Sequence, residues 1–189
     1  MREDPRVPPQ ILVLNGASSA GKSSLGRVLQ RQLGAGWFML GVDDLLRAIF
    51  PCGDDPALLD VSSAGVVRTT DTFRRAEAAW YAGVAAIAQQ AQGVILDEVL
   101  LDGAASQARL STALAGPTLT WIGVVCDVAV GEQRERLRGD RVAGMHVEQR
   151  DRVHDGVRYD LIVDTSSRSP DEAAREVYVA LSTQGLCNG

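Results

Sequence analysis

The sequence predicts an α/β fold in which one sheet of five parallel strands carries helices on both faces. Three observations lead there. Five short apolar runs, at 11–14, 37–40, 94–97, 119–125 and 161–164, alternate with segments of helical periodicity. Such alternation marks βαβ units, whose crossovers lay helices over the sheet. The runs are continuously apolar rather than alternating, as expected of strands covered on both faces. Finally, 189 residues, 46% hydrophobic and 23% charged, suit a single domain over 1–189 that needs no disulfide or metal for stability.

In chain order, residues 1–9 are Pro-rich and read as a frayed tail. The first strand, 11–14, is bounded by Asn15 and Gly16. A helix over 22–33 follows, with Leu25, Val28, Leu29 and Leu33 on one face and Gly34 as its stop. The strand at 37–40 leads through Gly41 to a short helix at 45–50 that Pro51 ends. Residues 50–72 hold Pro51, Gly53, Pro56 and Gly65 without periodicity, and predict an irregular excursion or a hairpin of the kind that is usually functional. An Ala-rich helix at 72–92 is stopped by Gly93, and the strand 94–97 ends in Asp97. Then come a helix at 104–115, the strand 119–125, a charged helix at 129–138, a Gly-containing loop and a short helix at 146–152. The strand 161–164 and a helix at 170–182, with Pro170 in its first turn, close the chain. Trp37, Trp80 and Trp121 sit inside apolar segments and read as core; His154 reads as a turn or surface residue.

Charge and composition exclude several functions. Nineteen Lys and Arg against 24 Asp and Glu give a net charge of −5, the wrong sign for a general nucleic-acid binder. Three cysteines without a CxxC pair, and two histidines without a zinc-type set, point to reduced thiols and a cytoplasmic protein. The N-terminus lacks the apolar core of a signal peptide, and no apolar run is long enough to span a bilayer, so no membrane role is expected. A homo-oligomer is compatible with the sequence.

Gly16-Ala17-Ser18-Ser19-Ala20-Gly21-Lys22-Ser23 matches the phosphate-binding loop pattern at every position, between a predicted buried strand and a helix. The glycines let backbone amides converge on phosphate oxygens, and the helix directs its positive end at them. Residues Gly16 through Ser23, with Ser24 and Arg134, are the expected nucleotide contacts. Lys22 would sit between the β- and γ-phosphates and the Ser23 hydroxyl would ligate Mg²⁺. ATP and Mg²⁺ are the expected cofactors. No Asn-Lys-x-Asp base-reading motif is present, which argues against a GTPase, and the short chain suits a small-molecule kinase.

In such sheets ligands gather at the carboxyl ends of the strands, which here carry Asp43, Asp44, Asp97 and Glu98. Asp43 is the candidate catalytic carboxylate and Asp44 the candidate helix N-cap. Asp97 is the candidate Mg²⁺ carboxylate, with Glu98 as an equal-chemistry alternative. Arg134, Arg136, Arg138 and Arg141 cluster around Gly139 and Gly144 and predict a lid over 134–145. Within it, Arg138 and Arg141 are assigned to the γ-phosphate, Arg134 is assigned either to it or to solvent, and Arg136 faces solvent.

These strings together resemble the chloramphenicol phosphotransferase-like P-loop kinases. The resemblance runs from about 11 to 182 and includes Leu14 to Ser23, Gly41-Val42-Asp43, Phe73 to Glu77 with Trp80, and Ile95-Leu96-Asp97. Arg138 to Met145, Val153 to Val157 and Val163-Asp164-Thr165 complete it. It implies a P-loop NTPase fold like that of nucleoside-monophosphate and shikimate kinases, with ATP- and Mg²⁺-dependent phosphate transfer to a primary hydroxyl. It also implies Asp43 as general base and Arg138 and Arg141 in the lid. Residues 50–72 depart from the pattern of the family's namesake, which puts the acceptor, chloramphenicol or another hydroxyl compound, in the part that differs. A kinase of another metabolite, and a nucleotide-binding switch with little catalysis, are the competing readings.

Overall fold

The computed structural model describes residues 10–49, 59–61, 66–138 and 144–183. The expected tail 1–9, most of the 50–72 excursion and the lid residues 139–143, with Arg141, lie outside them.

Strands β1 (Gln10–Asn15), β2 (Trp37–Gly41), β5 (Gly93–Glu98), β6 (Thr118–Val125) and β7 (Leu161–Asp164) form one parallel sheet in the order β2-β5-β1-β6-β7. Strand β1 is central, and all six of its residues are buried, which is why its sequence is uniformly apolar between Gln10 and Asn15. Helices α1 (Lys22–Leu33) and α7 (Pro170–Thr183) cover one face, where Leu14, Leu25, Leu29, Ile95, Ile122 and Val177 share a core. Helices α3 (Asp71–Gln90) and α4 (Ala104–Ala113) cover the other, over Ile11, Val13, Tyr81, Leu96, Leu110 and Trp121. Of the three tryptophans, Trp121 is buried in the core; Trp37 and Trp80 are half-buried at its edge.

The excursion contributes β3 (Leu59–Val61) and β4 (Val67–Thr69), paired antiparallel, so of its two readings the hairpin holds for the described residues. Helices α5 (Val128–Arg138) and α6 (Met145–Arg152) flank the lid segment. One element differs from expectation. Helix α2 (Val42–Ile49) starts three residues earlier, directly after Gly41, so Asp44 is not its N-cap. Asp43 and Asp44 both lie in its first turn, where a carboxylate still meets the positive end of the helix, and Asp44 pairs with Arg47 at 2.7 Å. No described helix is long and apolar enough to cross a membrane.

The register sets the functional edge. Gly41 pairs with Asp97, Asp97 with Leu14, and Leu14 with Ile122, so the ends of β2, β5, β1 and β6 emerge in one row. Asn15 locks that row to the loop before β7. Its Nδ2 donates to Val153 O at 2.8 Å and to the Tyr159 hydroxyl at 2.5 Å, and its Oδ1 accepts from Leu100 N at 2.9 Å. Burial pushes the Tyr159 hydroxyl up to about 12 and lowers His154, so the tyrosine keeps its proton and donates it to His154 Nδ1 at 2.6 Å. Of its two readings the turn holds: His154 lies in the turn after α6, half-buried in the clasp. Asn15→Ala leaves a buried amide and a buried carbonyl without partners. It should destabilise the fold by about 3 kcal/mol, a fall in Tm of roughly 6–12 °C by thermal melting; an unchanged Tm would refute the clasp.

Candidate functional site

The chain leaves β1 through Gly16, which has no room for a side chain, because a Cβ there would run into the Val124 carbonyl of β6. Ser19 (φ 61) and Gly21 (φ 93) both adopt left-handed backbone. Such alternation turns successive amides inward to form an anion-binding concavity. Gly21 caps α1 without a side-chain hydrogen bond. The first-turn amides of a helix have no intrahelical acceptor, so they remain available to an anion.

Lys22 is buried despite its charge, with Nζ 3.0 Å from Ala17 O and 3.7 Å from Asp97 Oδ1. The Ser23 hydroxyl donates to Asp97 Oδ2 at 2.6 Å. A hydroxyl and a carboxylate at hydrogen-bond distance form a hard-oxygen pair, which fits Mg²⁺ if phosphate and water oxygens complete the octahedron. Among the described residues no group of three His, Cys, Asp or Glu could hold a metal alone. Strand alternation separates the two β5 carboxylates, which answers the question of which one meets the loop. Asp97 turns to Lys22 and Ser23, whereas Glu98 turns to Tyr81 and Glu77 on α3.

Glu98 is fully buried, and burial, with the Glu77 and Asp97 carboxylates adding to it, pushes its carboxyl up from the ordinary 4.5 to about 8. It is therefore mostly uncharged at neutral pH. Burial also raises Glu77, against the pull of Arg109, and Tyr81 well above its ordinary value. Glu77 and Glu98 line a cleft of about 1240 Å³ that begins at the phosphate loop and runs between α2, β4, α3 and the lid flanks. Asp43, Glu77, Asp97, Arg138 and Arg152 all line it.

Of the arginines, Arg134 reaches across to β7, donating from Nη1 to Thr165 Oγ1 at 3.0 Å and from Nη2 to Thr165 O at 2.7 Å. It lies half-buried beside Gly21, against the phosphate loop. Arg138 ends α5, exposed at the cleft, and Arg136 is exposed. Sequence reasoning missed four polar residues that hold the loop. Thr165 Oγ1 donates to Ala20 O at 2.7 Å, Gln149 accepts from Ser18 N, His146 meets Ser18 O, and Glu135 joins α5 to α6. His146 and Gln149 show in sequence only as isolated polar residues of a charged helix, Glu135 as one charge among several, and Thr165 as a single hydroxyl after β7.

The raised Glu98 gives a signed pH dependence. The folded state holds this proton more tightly than the unfolded chain, so its contribution is complete below pH 4.5 and is lost as pH rises towards 8. Wild-type stability should fall relative to Glu98→Gln by up to about 1.4 kcal/mol per pH unit across that window. Parallel denaturation midpoints for the two proteins from pH 5 to 8 would overturn the assignment.

Comparison with known proteins agrees with this geometry. A family model described as chloramphenicol phosphotransferase-like protein matches residues 9–182. A Mycobacterium tuberculosis protein named "Putative O-phosphotransferase" is 27% identical over 185 residues, spanning 89% of this chain and 80% of its own. Among solved structures, a sugar kinase from Janibacter superposes with a TM-score of 0.68 at 13% identity, over 97% of this chain and 100% of that one. The adenylyl-sulfate (APS) kinase of Mycobacterium tuberculosis, solved with AMPPNP and APS, gives 0.62 at 19% identity, over 93% and 98%. At those identities the structures establish a shared fold, and it is the P-loop kinase fold. With nearly its whole length matched, the chain belongs to the chloramphenicol phosphotransferase-like family of P-loop small-molecule kinases.

Proposed function

We propose that the protein transfers the γ-phosphate of ATP, in the presence of Mg²⁺, to a hydroxyl of a small molecule bound in the cleft beside Asp43. The observation that carries this reading is the Lys22–Asp97–Ser23 contact at the mouth of the phosphate loop, opening onto the cleft that Asp43 also lines. The solved APS kinase with AMPPNP supports nucleotide use by a chain of this fold.

In this reading the amides of residues 16–24 and the Lys22 ammonium hold the β- and γ-phosphates, with Arg134 behind Gly21. Ser23 and Asp97 would hold Mg²⁺, which when bound neutralises charge on the phosphate oxygens. Asp43 accepts the proton of the acceptor hydroxyl as its oxygen bonds to the γ-phosphorus. The bond from that phosphorus to the β-bridging oxygen breaks, and ADP leaves. Arg138, with Arg141 beyond the described residues, offsets charge on the transferring group, and the segment 134–145 acts as a lid. We assign the whole to one cytoplasmic kinase unit, acting on a small molecule and not on nucleic acid.

Chloramphenicol is the namesake acceptor, and the excursion at 50–72 is where another hydroxyl compound would be selected instead. Mass detection of a phosphorylated product, across chloramphenicol and a panel of hydroxylated compounds, tests the reaction and its acceptor together. Nucleotide binding without turnover on any of them would favour the switch reading. Asp43→Asn should lower kcat by about 10²-fold or more while nucleotide affinity changes little. Lys22→Met should weaken ATP binding and lower kcat together, because it serves the nucleotide in both ground and transition states. A fully active Asp43→Asn enzyme would remove the base assignment.

A further inference from the structure

We infer that Gln149 and His146, on the helix following the lid segment, are positioning residues that hold the phosphate loop in its anion-binding conformation. This rests on the reading of the loop as the nucleotide site.

The two peptide groups that flank Ser18 are each held by α6. The Ser18 N–H donates to Gln149 Oε1 at 2.8 Å, and the Ser18 C=O lies 2.7 Å from His146 Nδ1. A carbonyl only accepts, so Nδ1 must carry the proton. Both side chains are almost completely buried, and they come from 131 and 128 residues away in the chain. The next residue, Ser19, is the one described non-glycine with positive φ, at 61°. That conformation is unfavourable for a residue with a Cβ and persists only where its surroundings enforce it. Fixing the two consecutive peptides before it, one through the Ser18 N–H and the next through the Ser18 C=O, supplies such enforcement. Without it, Ser19 would relax to ordinary backbone and the amides after it would turn away from the phosphate.

The same helix is fixed to the other side of the lid. Glu135, buried in the last turns of α5, accepts from Gly144 N at 2.8 Å through Oε2 and from His146 N at 2.9 Å through Oε1. One carboxylate thus closes the base of the segment 139–143, and its charge lies at the positive end of α6. Gly131, a turn earlier on α5, makes room for the His146 ring; a Cβ there would occupy the ring's position. Lid base, α6 and phosphate loop are one connected unit, in which no phosphate contact by His146 or Gln149 is required.

The test compares Gln149→Met and His146→Leu, which keep bulk but remove the hydrogen bond, with His146→Asn, whose amide nitrogen can replace Nδ1. A core control, Leu110→Ala, measures destabilisation away from the loop. The readouts are the dissociation constant of a fluorescent ADP analogue, ATP KM and kcat, and Tm. We expect the first two variants to weaken nucleotide binding and raise ATP KM about tenfold, as for a buried hydrogen bond, with kcat at saturation within about threefold. His146→Asn should stay within about threefold of wild type, and Leu110→Ala should lose Tm without losing affinity. Folded variants that bind as tightly as wild type, or affinity losses that follow Tm equally in all four, would overturn the inference. A wild type that binds the analogue but phosphorylates nothing would count against the kinase reading while leaving the effect on affinity measurable.

Discussion

Everything at the working edge depends on how the chain leaves the central strand. Strand β1 is enclosed by β5 and β6, so the next residues must turn out of a space with no spare volume, and Gly16 passes against the Val124 carbonyl. The turn that follows uses left-handed backbone at Ser19 and Gly21. It delivers inward-facing amides, a buried lysine and the start of α1 to one point. A concavity of this kind is unstable by itself, since its polar groups face one another with nothing between them. Its shape is held from outside, by Thr165 on Ala20, by α6 on Ser18 and by Asp97 on Lys22 and Ser23.

The cleft that leads away from this point is electrostatically divided. At the loop end, Lys22 and Arg134 bring two positive charges against the phosphate loop, with Asp97 3.7 Å from Lys22, an arrangement suited to a polyanion. At the other end, Glu77 and Glu98 sit beside Tyr81, and burial keeps Glu98 largely uncharged at neutral pH. An acidic chain can still hold a triphosphate, because field strength at a site follows the placement of a few groups, not the total of −5.

Much of this was legible in order along the chain. The apolar runs mark all five sheet strands; for β1 and β5 this follows from cover on both faces, whereas the edge strands β2 and β7 stay apolar although Phe38 and Ile162 are exposed. The phosphate loop was legible because eight adjacent residues perform one task, and adjacency survives in sequence. The start of α2 was misread, since two aspartates after a glycine suit either a cap or a first turn, and the difference depends on where β2 stops pairing with β5. Arg134 stays open in the sequence because a charged helix gives no sign of which arginine faces a distant threonine just after β7.

The amino-acid sequence determined the fold class, the phosphate loop and the carboxylates at the strand ends, all of which are local patterns of three to ten residues. Tertiary structure decided which carboxylate serves the loop, since strand alternation sends Asp97 and Glu98 to opposite faces. It also decided that His146, Gln149 and Thr165 hold that loop, while Asn15 and Glu135 tie together the elements around it. These residues act through hydrogen bonds to backbone groups, most of them far away in the chain. A backbone amide or carbonyl is the same at every residue, so such a bond leaves no mark on the residue it holds, and only the folded chain reveals the pairing.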